Sequence, residues 1–441
     1  MPQQSADVLI SIRTERFKSA STKLLPVTLT GLLTLLAVCV TLEWGLRYFH
    51  QLIPLPVCAS DDILGTYICQ PYFEYDKPIR LGYRYQPNLH FEGWWDPADP
   101  NLVGAGSETR PSERSDAFWL IFQTDEMGFP NSEPVWRDQY DIIVTGDSFV
   151  TRFSPQTWIE LLAEQSGHSI LTLGASSWGP LSQVEAVKLY GLDKRPEWVI
   201  MLYFEGNDLL NVAQYIEREH SGLDWREYDL QGVAWYRQLV TVHLARWLLQ
   251  PAAEPVEGEY TYPLIVNTEV GLVETVFKDS HLLPLSADYE TLARSNEFER
   301  TAAAILELRD LTEAQNGRFL LVYVPAKEHI TWSRIWDPVD VNNVLARTRT
   351  VTLSEGDHGR LQWGVDYIDY DTFTANIGAQ GRLFDDFTRE NGVEFLNLAP
   401  ALFEKTLQEG EVYHYADPHW NQAGSQLVAD LIAVYLVESK K

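Results

Sequence analysis

The chain has 441 residues, enough for one large domain with insertions or for two domains. Its residues are 45% hydrophobic and include 15 Trp, 21 Tyr and 18 Phe, so the chain can bury a large core. The formal net charge is -28 and the pI is about 4.7, which leaves no basic surplus to displace counterions from phosphates. This composition argues against nucleic-acid binding and against docking of the globular part on anionic lipid.

An uncharged stretch near the N-terminus, 24–42, predicts a membrane-spanning helix. A helix of that length extends about 28 Å, close to the roughly 30 Å hydrocarbon core of a bilayer. We therefore expect a cytoplasmic tail over 1–22, an anchor over 23–47 and an extracytoplasmic remainder. A cleavable signal peptide is the competing interpretation. The orientation rests on the basic residues that precede the stretch, which are Arg13, Arg16, Lys18 and Lys23.

The three cysteines lie in or close to this anchor. Cys39 is inside it, whereas Cys58 and Cys69 follow on the exported side, where a disulfide can persist. A bridge between those two and a pair of free thiols both remain open. Residues 48–117 are rich in Pro, Gly and aromatic side chains, so we expect an irregular lead-in with short strands.

After a predicted strand at 118–122, apolar β-branched runs alternate with amphipathic stretches from residue 141 onward. Strands that alternate with helices predict a parallel sheet covered on both faces, here a domain over 118–441. The predicted strands are 118–122, 141–145, 170–173, 198–204, 318–324 and 394–397, and the predicted helices are 155–166, 181–191, 297–315 and 422–437.

Two long inserts interrupt this alternation. The first covers about 209–296, with a predicted helix near 233–249 and hairpin strands around 262–278. The second covers about 330–390. Loops of this length inside a compact domain are often functional, so we expect lids or substrate walls here.

Polar residues are concentrated where the predicted strands end, and ligands of open parallel sheets bind beyond the carboxyl ends of strands. The first strand leads into 146–148, the second into 174–180 and the third into 205–208, while 415–424 precede the last helix. Ser148 at a strand-to-helix turn would expose its hydroxyl beside the free N–H groups of a helix start. An ordinary corner, in which Asp147 or Ser148 only caps the helix, is the plain alternative.

These side chains are the ones that acyl transfer needs. Ser148 requires a base, because its hydroxyl is almost fully protonated near neutral pH. His419 can take that proton and later return it to the leaving group, and Asp417 can hold the other ring N–H. The Ser148 amide, an amide of the loop 176–178 and the Asn207 side chain can donate to an oxyanion, at roughly 3–4 kcal/mol of barrier for one donor.

The four motifs in this order resemble the SGNH, or GDSL, hydrolase superfamily, over about 118–208 and 300–437. The resemblance implies a three-layer α/β/α, flavodoxin-like fold. Together with the anchor, Pro325, Lys327 and their neighbours resemble the membrane-anchored bacterial branch related to alginate and other exopolysaccharide O-acetyltransferases.

The resemblance also assigns site residues, and the sequence departs from the family at three of them. The glycine of the second motif is Ser177 here, so its amide must donate despite a side chain. Glu205 stands two places before Asn207, where the family has glycine. One residue separates Asp417 from His419, where many members have two. The implied catalytic residues are Ser148, His419 and Asp417, and the implied oxyanion hole is Ser148, Ser177 and Asn207.

Other functional assignments compete for some of these residues. His414, Asp417 and His419 could be metal ligands, but no further ligand clusters with them, so we expect neither a metal nor a cofactor. Asp147 and Asp208 are interpreted as turn or capping residues. Side chains expected to have structural or solvated roles are Trp178, Trp420, Lys327, Glu328, His220, His281, His329 and His358.

Three functions follow in order of preference. The first is a membrane-anchored serine esterase that hydrolyses acyl esters, in particular acetyl esters, on a carbohydrate. The second is a polysaccharide O-acetyltransferase with the same acyl-enzyme, because only water exclusion and the acceptor site differ. The third is a non-catalytic glycan-binding surface protein. The expected partners are an acylated carbohydrate and, through the N-terminal helix, the cell membrane, with no nucleic acid.

Overall fold

The computed structural model describes residues 30–49, 52–53, 57, 67–68, 72–76, 80–95, 117–133, 136–249, 261–337, 341–342, 345 and 369–439. They form two compact units. The first joins the described part of Met1–Pro71 to Leu230–Val256, and the second consists of Tyr72–Asp229 and Glu257–Lys441.

Eleven strands are defined in this part of the chain: β1 (Phe73–Tyr75), β2 (Tyr83–Tyr85), β3 (His90–Trp95), β4 (Phe118–Gln123), β5 (Ile142–Gly146), β6 (Ile170–Gly174), β7 (Trp198–Phe204), β8 (Thr261–Thr268), β9 (Gly271–Lys278), β10 (Arg318–Val324) and β11 (Glu394–Asn397). The helices are α1 (Thr30–Tyr48), α2 (Trp158–Ser166), α3 (Pro180–Ala186), α4 (Asp208–Ser221), α5 (Trp225–Leu230), α6 (Val240–Leu249), α7 (Asp279–Leu285), α8 (Tyr289–Ala293), α9 (Asn296–Glu313), α10 (Lys327–Trp332), α11 (Tyr370–Asn376), α12 (Ala379–Asn391), α13 (Ala399–Glu409) and α14 (Gln422–Glu438).

The second unit is built on a five-stranded parallel sheet in the order β11-β10-β7-β5-β6. Numbered along the chain, this is the 2-1-3-4-5 order of flavodoxin-like sheets. All residues of the central strand β7 are buried, as expected for a strand covered on both faces. The α/β/α prediction is therefore confirmed by the sheet topology.

Helices cover both faces because neighbouring residues of each strand point to opposite sides. Ile143 of β5 belongs to the core under α3, α4, α9 and α12. Ile142 and Val144 belong to the core under α2, α10, α13 and α14. The order of the strands reverses between β6-β5 and β7, so the chain segment after β5 lies at the switch point where such sheets bind ligands.

The helix predicted at 155–166 is present as α2, which begins at Trp158 after the capping box of Thr157 and Glu160. Two sequence expectations differ from the structure. β4 was expected within the sheet domain that begins at 118, but it pairs antiparallel with β3 of the lead-in, as Trp94 opposite Trp119 shows. The helix expected over 233–249 is a short 3-10 turn, Trp235–Gln238, followed by α6.

The first unit contains α1, which is long and apolar enough to cross a membrane, with a mean hydropathy of 1.3 over its best window. A signal sequence near the N-terminus would meet the same criterion. Glu43 and Arg47, one turn apart on α1, form an ion pair, with Arg47 Nε 2.7 Å from Glu43 Oε1. The predicted tail, the Cys58–Cys69 question and residues 338–340, 343–344 and 346–368 of the second insert lie outside the described residues.

Candidate active site

Ser148 lies directly beyond β5, in the one-turn 3-10 helix Ser148–Val150. The Phe149 N–H donates to Asp147 Oδ1 at 3.0 Å, so Asp147 caps this turn as expected. β5 and β6 approach closely here: a Cβ on Gly174 would be 2.5 Å from the Gly146 carbonyl oxygen. Only glycine fits at that position, and this contact brings the second predicted motif beside the first.

Asp417 and His419 lie in a loop closed by antiparallel contacts before α14. Tyr413 and Trp420 form an isolated β-bridge, and the His414 N–H donates to the His419 carbonyl at 2.9 Å. The Asn421 side chain then accepts from the first N–H groups of α14 and caps it. Backbone and capping hydrogen bonds on both sides of Asp417 and His419 therefore fix the conformation of this loop.

The three predicted catalytic residues are hydrogen-bonded in series. His419 Nδ1 is 2.6 Å from Asp417 Oδ1, and His419 Nε2 is 2.7 Å from Ser148 Oγ. An ionised carboxylate only accepts, so Nδ1 carries the proton and Nε2 accepts from the serine hydroxyl. The other acceptor near this hydroxyl, Asp147 Oδ2, is 3.4 Å away and hence weaker.

An aromatic ring fixes the plane of the His419 imidazole. The Phe153 ring is stacked on it, with centroids 3.8 Å apart and planes 3° from parallel. His414 Nε2 donates to the Phe153 carbonyl at 2.6 Å and so ties the Phe153 segment to the loop of His419. The sequence did not identify Phe153, because a stacking partner so far away in the chain has no local signature.

The Lys327 ammonium, which is almost completely buried, lies beneath the same loop. It donates to the carbonyl oxygens of His414 at 3.0 Å, Tyr415 at 2.9 Å and, more weakly, Asp417 at 3.4 Å. Lys327 was expected to be a structural turn residue. Instead, it begins α10 and connects the end of β10 to the loop that carries the predicted base.

Two of the three predicted oxyanion donors, Ser177 and Asn207, come from neighbouring loops. Ser177 is exposed and has a positive φ of 61°, which L-residues other than Asn and Asp seldom adopt. Asn207 immediately precedes α4. The two loops touch, because a Cβ on Gly179 would be 3.0 Å from the Asp208 carbonyl oxygen. Ser176, next to Ser177, forms a hydrogen bond with Tyr85 of β2, whose hydroxyl is 2.8 Å from Ser176 Oγ.

Glu205, the departure from glycine in the third motif, is fully buried and accepts three hydrogen bonds. The donors are the Tyr323 hydroxyl at 2.6 Å, the Ala326 N–H at 2.9 Å and His329 Nδ1 at 2.8 Å. Burial lowers the pKa of His329, but the charge and hydrogen bond of Glu205 outweigh it and raise that pKa overall. Glu205 thus joins the ends of β7 and β10.

Two expected solvated histidines are therefore misassigned. His329 is bound to Glu205, and His281 is buried with its Nδ1 3.7 Å from Glu328 Oε2. Each ring lies beside a buried carboxylate, Glu205 or Glu328, and the sequence does not reveal either neighbour. His220 is exposed as expected, and His358 lies outside the described residues.

Two buried carboxyl groups lie behind the nucleophile. Burial, followed by the charge of Asp147, raises the pKa of Asp208 well above its usual range. Burial also raises the pKa of Asp147, against the hydrogen bond from the Phe149 N–H. Asp208 Oδ2 accepts from the Phe204 N–H at 2.9 Å, so Asp208 binds back to the end of β7 and does not, as was expected, cap the segment that follows it.

Access to the three catalytic candidates is narrow, since Ser148, Asp417 and His419 are only 8–9% exposed. Trp178 and Trp420 are buried in the core, as expected for packing residues. A cavity of about 590 Å³ adjoins Val150 and Arg152 without being lined by Ser148 or His419. Within the described part of the chain, no group of three or more His, Cys, Asp or Glu side chains is placed to hold a metal ion.

A flavodoxin-like sheet with a serine, a histidine and an aspartate in hydrogen-bonded series at its switch point has the geometry of a serine-hydrolase site. No family model matches the sequence, and a search of curated proteins finds no match. Solved structures similar to the chain include a GDSL-like lipase from Bacteroides thetaiotaomicron, with 9% identity over 68% of this chain and 88% of that one and a TM-score of 0.30. Another is a lipase/acylhydrolase from Enterococcus faecalis, with 9% identity, 67% and 94% coverage and a TM-score of 0.31.

Proposed function

We propose that the chain is an SGNH-type serine esterase that removes acyl groups, in particular acetyl groups, from a carbohydrate. The observation that supports it most is the hydrogen-bonded series from Ser148 Oγ through His419 to Asp417, at 2.7 and 2.6 Å. A serine and an imidazole at this distance are within reach for proton transfer.

The reaction then follows from the proton positions. Ser148 Oγ attacks the ester carbonyl carbon as its proton passes to His419 Nε2, and the carbonyl π electrons move to the oxygen. The Ser148 and Ser177 amides and the Asn207 side chain would donate to this oxyanion. Collapse expels the alcohol oxygen, which takes the proton from His419 Nε2 and leaves acyl-Ser148. A water molecule repeats the sequence, releases the carboxylic acid and restores the Ser148 hydroxyl.

The second candidate, an O-acetyltransferase, is favoured by the low exposure of Ser148 and His419. A site that admits little water gives the acyl-enzyme more time to meet a sugar hydroxyl. Transfer and hydrolysis share every step up to acyl-Ser148, so only the fate of the acyl group separates them.

We further propose that α1 anchors the chain in the cell membrane, with the second unit on the extracytoplasmic side. The uncharged stretch 24–42 and the basic residues before it support this orientation. Cleavage of a signal peptide would remove α1, so the N-terminal sequence of the protein recovered from membranes tests the anchor.

The test of function uses the full chain in lipid nanodiscs with 4-nitrophenyl acetate and with an acetylated oligosaccharide. The esterase proposal expects acetate release that is lost in Ser148→Ala. Transfer of acetyl from 4-nitrophenyl acetate to an unacetylated oligosaccharide, faster than hydrolysis, would identify the transferase instead. Equal rates for wild type and Ser148→Ala would contradict both.

A further inference from the structure

The first unit contains a surface that neither catalysis nor the anchor explains. It is formed by residues 235–249, which comprise the 3-10 turn Trp235–Gln238 and α6. In this unit the segment is bound directly to the end of α1, although some 190 residues separate the two in sequence. We call residues 235–249 the returning segment.

The carboxylate of Glu43 fixes the returning segment to α1. It accepts from the N–H groups of Val240 at 3.1 Å and Thr241 at 2.9 Å, and from the Thr241 hydroxyl at 2.9 Å. These are the first free N–H groups of α6, so Glu43 acts as a cap supplied by another helix. Arg47 completes the joint by donating to both Glu43 and the Gln238 carbonyl.

The position of this joint along α1 defines its depth in a bilayer. Glu43 is the first charged residue after the uncharged stretch 24–42, which is the part able to lie in hydrocarbon. Trp44 and Tyr48, one turn apart, are 73% and 78% exposed, as aromatic side chains at a membrane–water interface are. If α1 spans a bilayer as proposed, the returning segment, bound at Glu43, would therefore lie at the level of the lipid headgroups.

Exposed large apolar side chains lie at both ends of the returning segment. They are Trp235 and Tyr236 in the 3-10 turn, and Trp247, Leu248 and Leu249 in the last turn of α6. Between them, Val240 and Leu244 pack on the chain that follows α1. Clustered exposure of large apolar side chains usually marks a contact with a protein or a membrane.

The charge of this stretch favours a membrane. Residues 230–250 contain Arg237 and Arg246 but no Asp or Glu, although the chain has 62 acidic residues and a net charge of -28. Trp, Tyr and Leu interspersed with Arg are typical of helices that lie in the headgroup region of anionic bilayers. The local sign of charge is thus the reverse of that of the whole chain.

We propose that the returning segment is a second membrane contact, lying in the interface of the bilayer that α1 enters. This inference rests on the proposed anchor. Trp247, Leu248 and Leu249 at the end of α6 insert at the boundary between the headgroups and the acyl chains, while Arg237 and Arg246 bind lipid phosphates. The membrane attachment is then made by two chain segments rather than by α1 alone.

The experiment reconstitutes the full chain in nanodiscs of phosphatidylcholine and phosphatidylglycerol that contain a diazirine-bearing lipid. After photolysis, lipid adducts are mapped to peptides by mass spectrometry. We expect adducts on α1 and on residues 235–249. Adducts on α1 alone would overturn the inference and leave the anchor standing, whereas absence from α1 as well would refute the anchor itself.

A matched pair of variants tests the contact residues. In the variant Trp247→Ser, Leu248→Ser, Leu249→Ser, adducts on residues 235–249 should fall at least about fivefold, with those on α1 unchanged. The control, Val270→Ser with Leu272→Ser, alters exposed apolar residues of the β8–β9 turn and should change neither. Unchanged labelling in the triple variant, or cross-links between two copies at residues 235–249, would contradict a lipid contact there.

Discussion

The Lys327 ammonium donates a hydrogen bond to the His414 carbonyl oxygen at 3.0 Å, across 87 residues of chain. Together with its bond to the Tyr415 carbonyl, this contact places a buried cation under the loop that carries Asp417 and His419. The Lys327 hydrogen bonds go to backbone carbonyl oxygens of this loop, so we expect Lys327 to act as a positioning residue. It would keep His419 Nε2 close to Ser148 Oγ, which is 2.7 Å away.

Replacement of Lys327 by Met keeps the apolar stem and removes the donors. We expect kcat for ester hydrolysis to fall about 10- to 100-fold with KM nearly unchanged, because a displacement of about 1 Å in a catalytic group has effects of this size. Lys405→Met, on the solvent side of α13, is the control and should retain the wild-type kcat. A loss confined to KM, or none, would show that the loop is positioned without Lys327.

Phe153 is expected to act through the orientation of the His419 ring. Phe153→Ala removes the stacked ring and frees the imidazole to rotate, so kcat should fall about tenfold or more. Phe153→Tyr retains the ring and should retain most of the rate. Rates of covalent labelling of Ser148 by a fluorophosphonate measure the effect, and equal rates for the Ala and Tyr variants would exclude a role of the stack.

Ser177 has a backbone conformation that suits glycine. Replacing Ser177 by Gly removes the steric cost of the positive φ, which is about 1–2 kcal/mol. The greater conformational entropy of glycine in the unfolded chain offsets about 0.4–1 kcal/mol of this gain. Ser177→Gly should therefore raise the free energy of unfolding by about 0.5 kcal/mol and keep the hydrolysis rate, because the amide remains. The β-branched variant Ser177→Val should lose at least about 1 kcal/mol. Denaturant unfolding checks both, and loss of activity in Ser177→Gly would assign the function to the hydroxyl.

Asp208 makes the stability of the protein depend on pH. Its pKa is raised in the folded state above its ordinary value of 3.8, so the folded protein binds more protons than the unfolded chain above that pH. The free energy of unfolding must then fall as pH rises from about 4 toward neutrality. Asp208→Asn keeps an acceptor for the Phe204 N–H and removes this titrating group. The free energy of unfolding of the variant should therefore rise relative to that of wild type as pH increases. The surface variant Asp371→Asn should follow wild type, and a parallel curve for Asp208→Asn would contradict the raised pKa.

The sequence sufficed for the features that depend on local pattern. The bounds of β7, β10 and β11 match the predicted strands, because continuous apolar runs between helices have few other solutions. The motifs around Ser148 and His419 fall at the sheet edge, because the carboxyl ends of parallel strands share one side. β4 could not be placed, since an isolated apolar strand does not encode its partner.

The supporting contacts of the site depend on tertiary structure. Glu205 and Lys327 resemble ordinary polar residues at strand ends, and only the fold shows that each is buried with three acceptors or donors around it. Only the fold likewise shows that the Phe153 ring stacks on the His419 imidazole. The joint between Glu43 and α6 brings together segments 197 residues apart, a pairing that no local periodicity specifies.

The most direct test of the account identifies the residue that a fluorophosphonate modifies in the full chain. The account predicts one adduct, on Ser148, which is absent from Ser148→Ala and forms at least about 100-fold more slowly in His419→Ala, because the unassisted hydroxyl is a weak nucleophile. An adduct that persists in Ser148→Ala, or no adduct on the folded wild-type protein, would contradict the proposed triad.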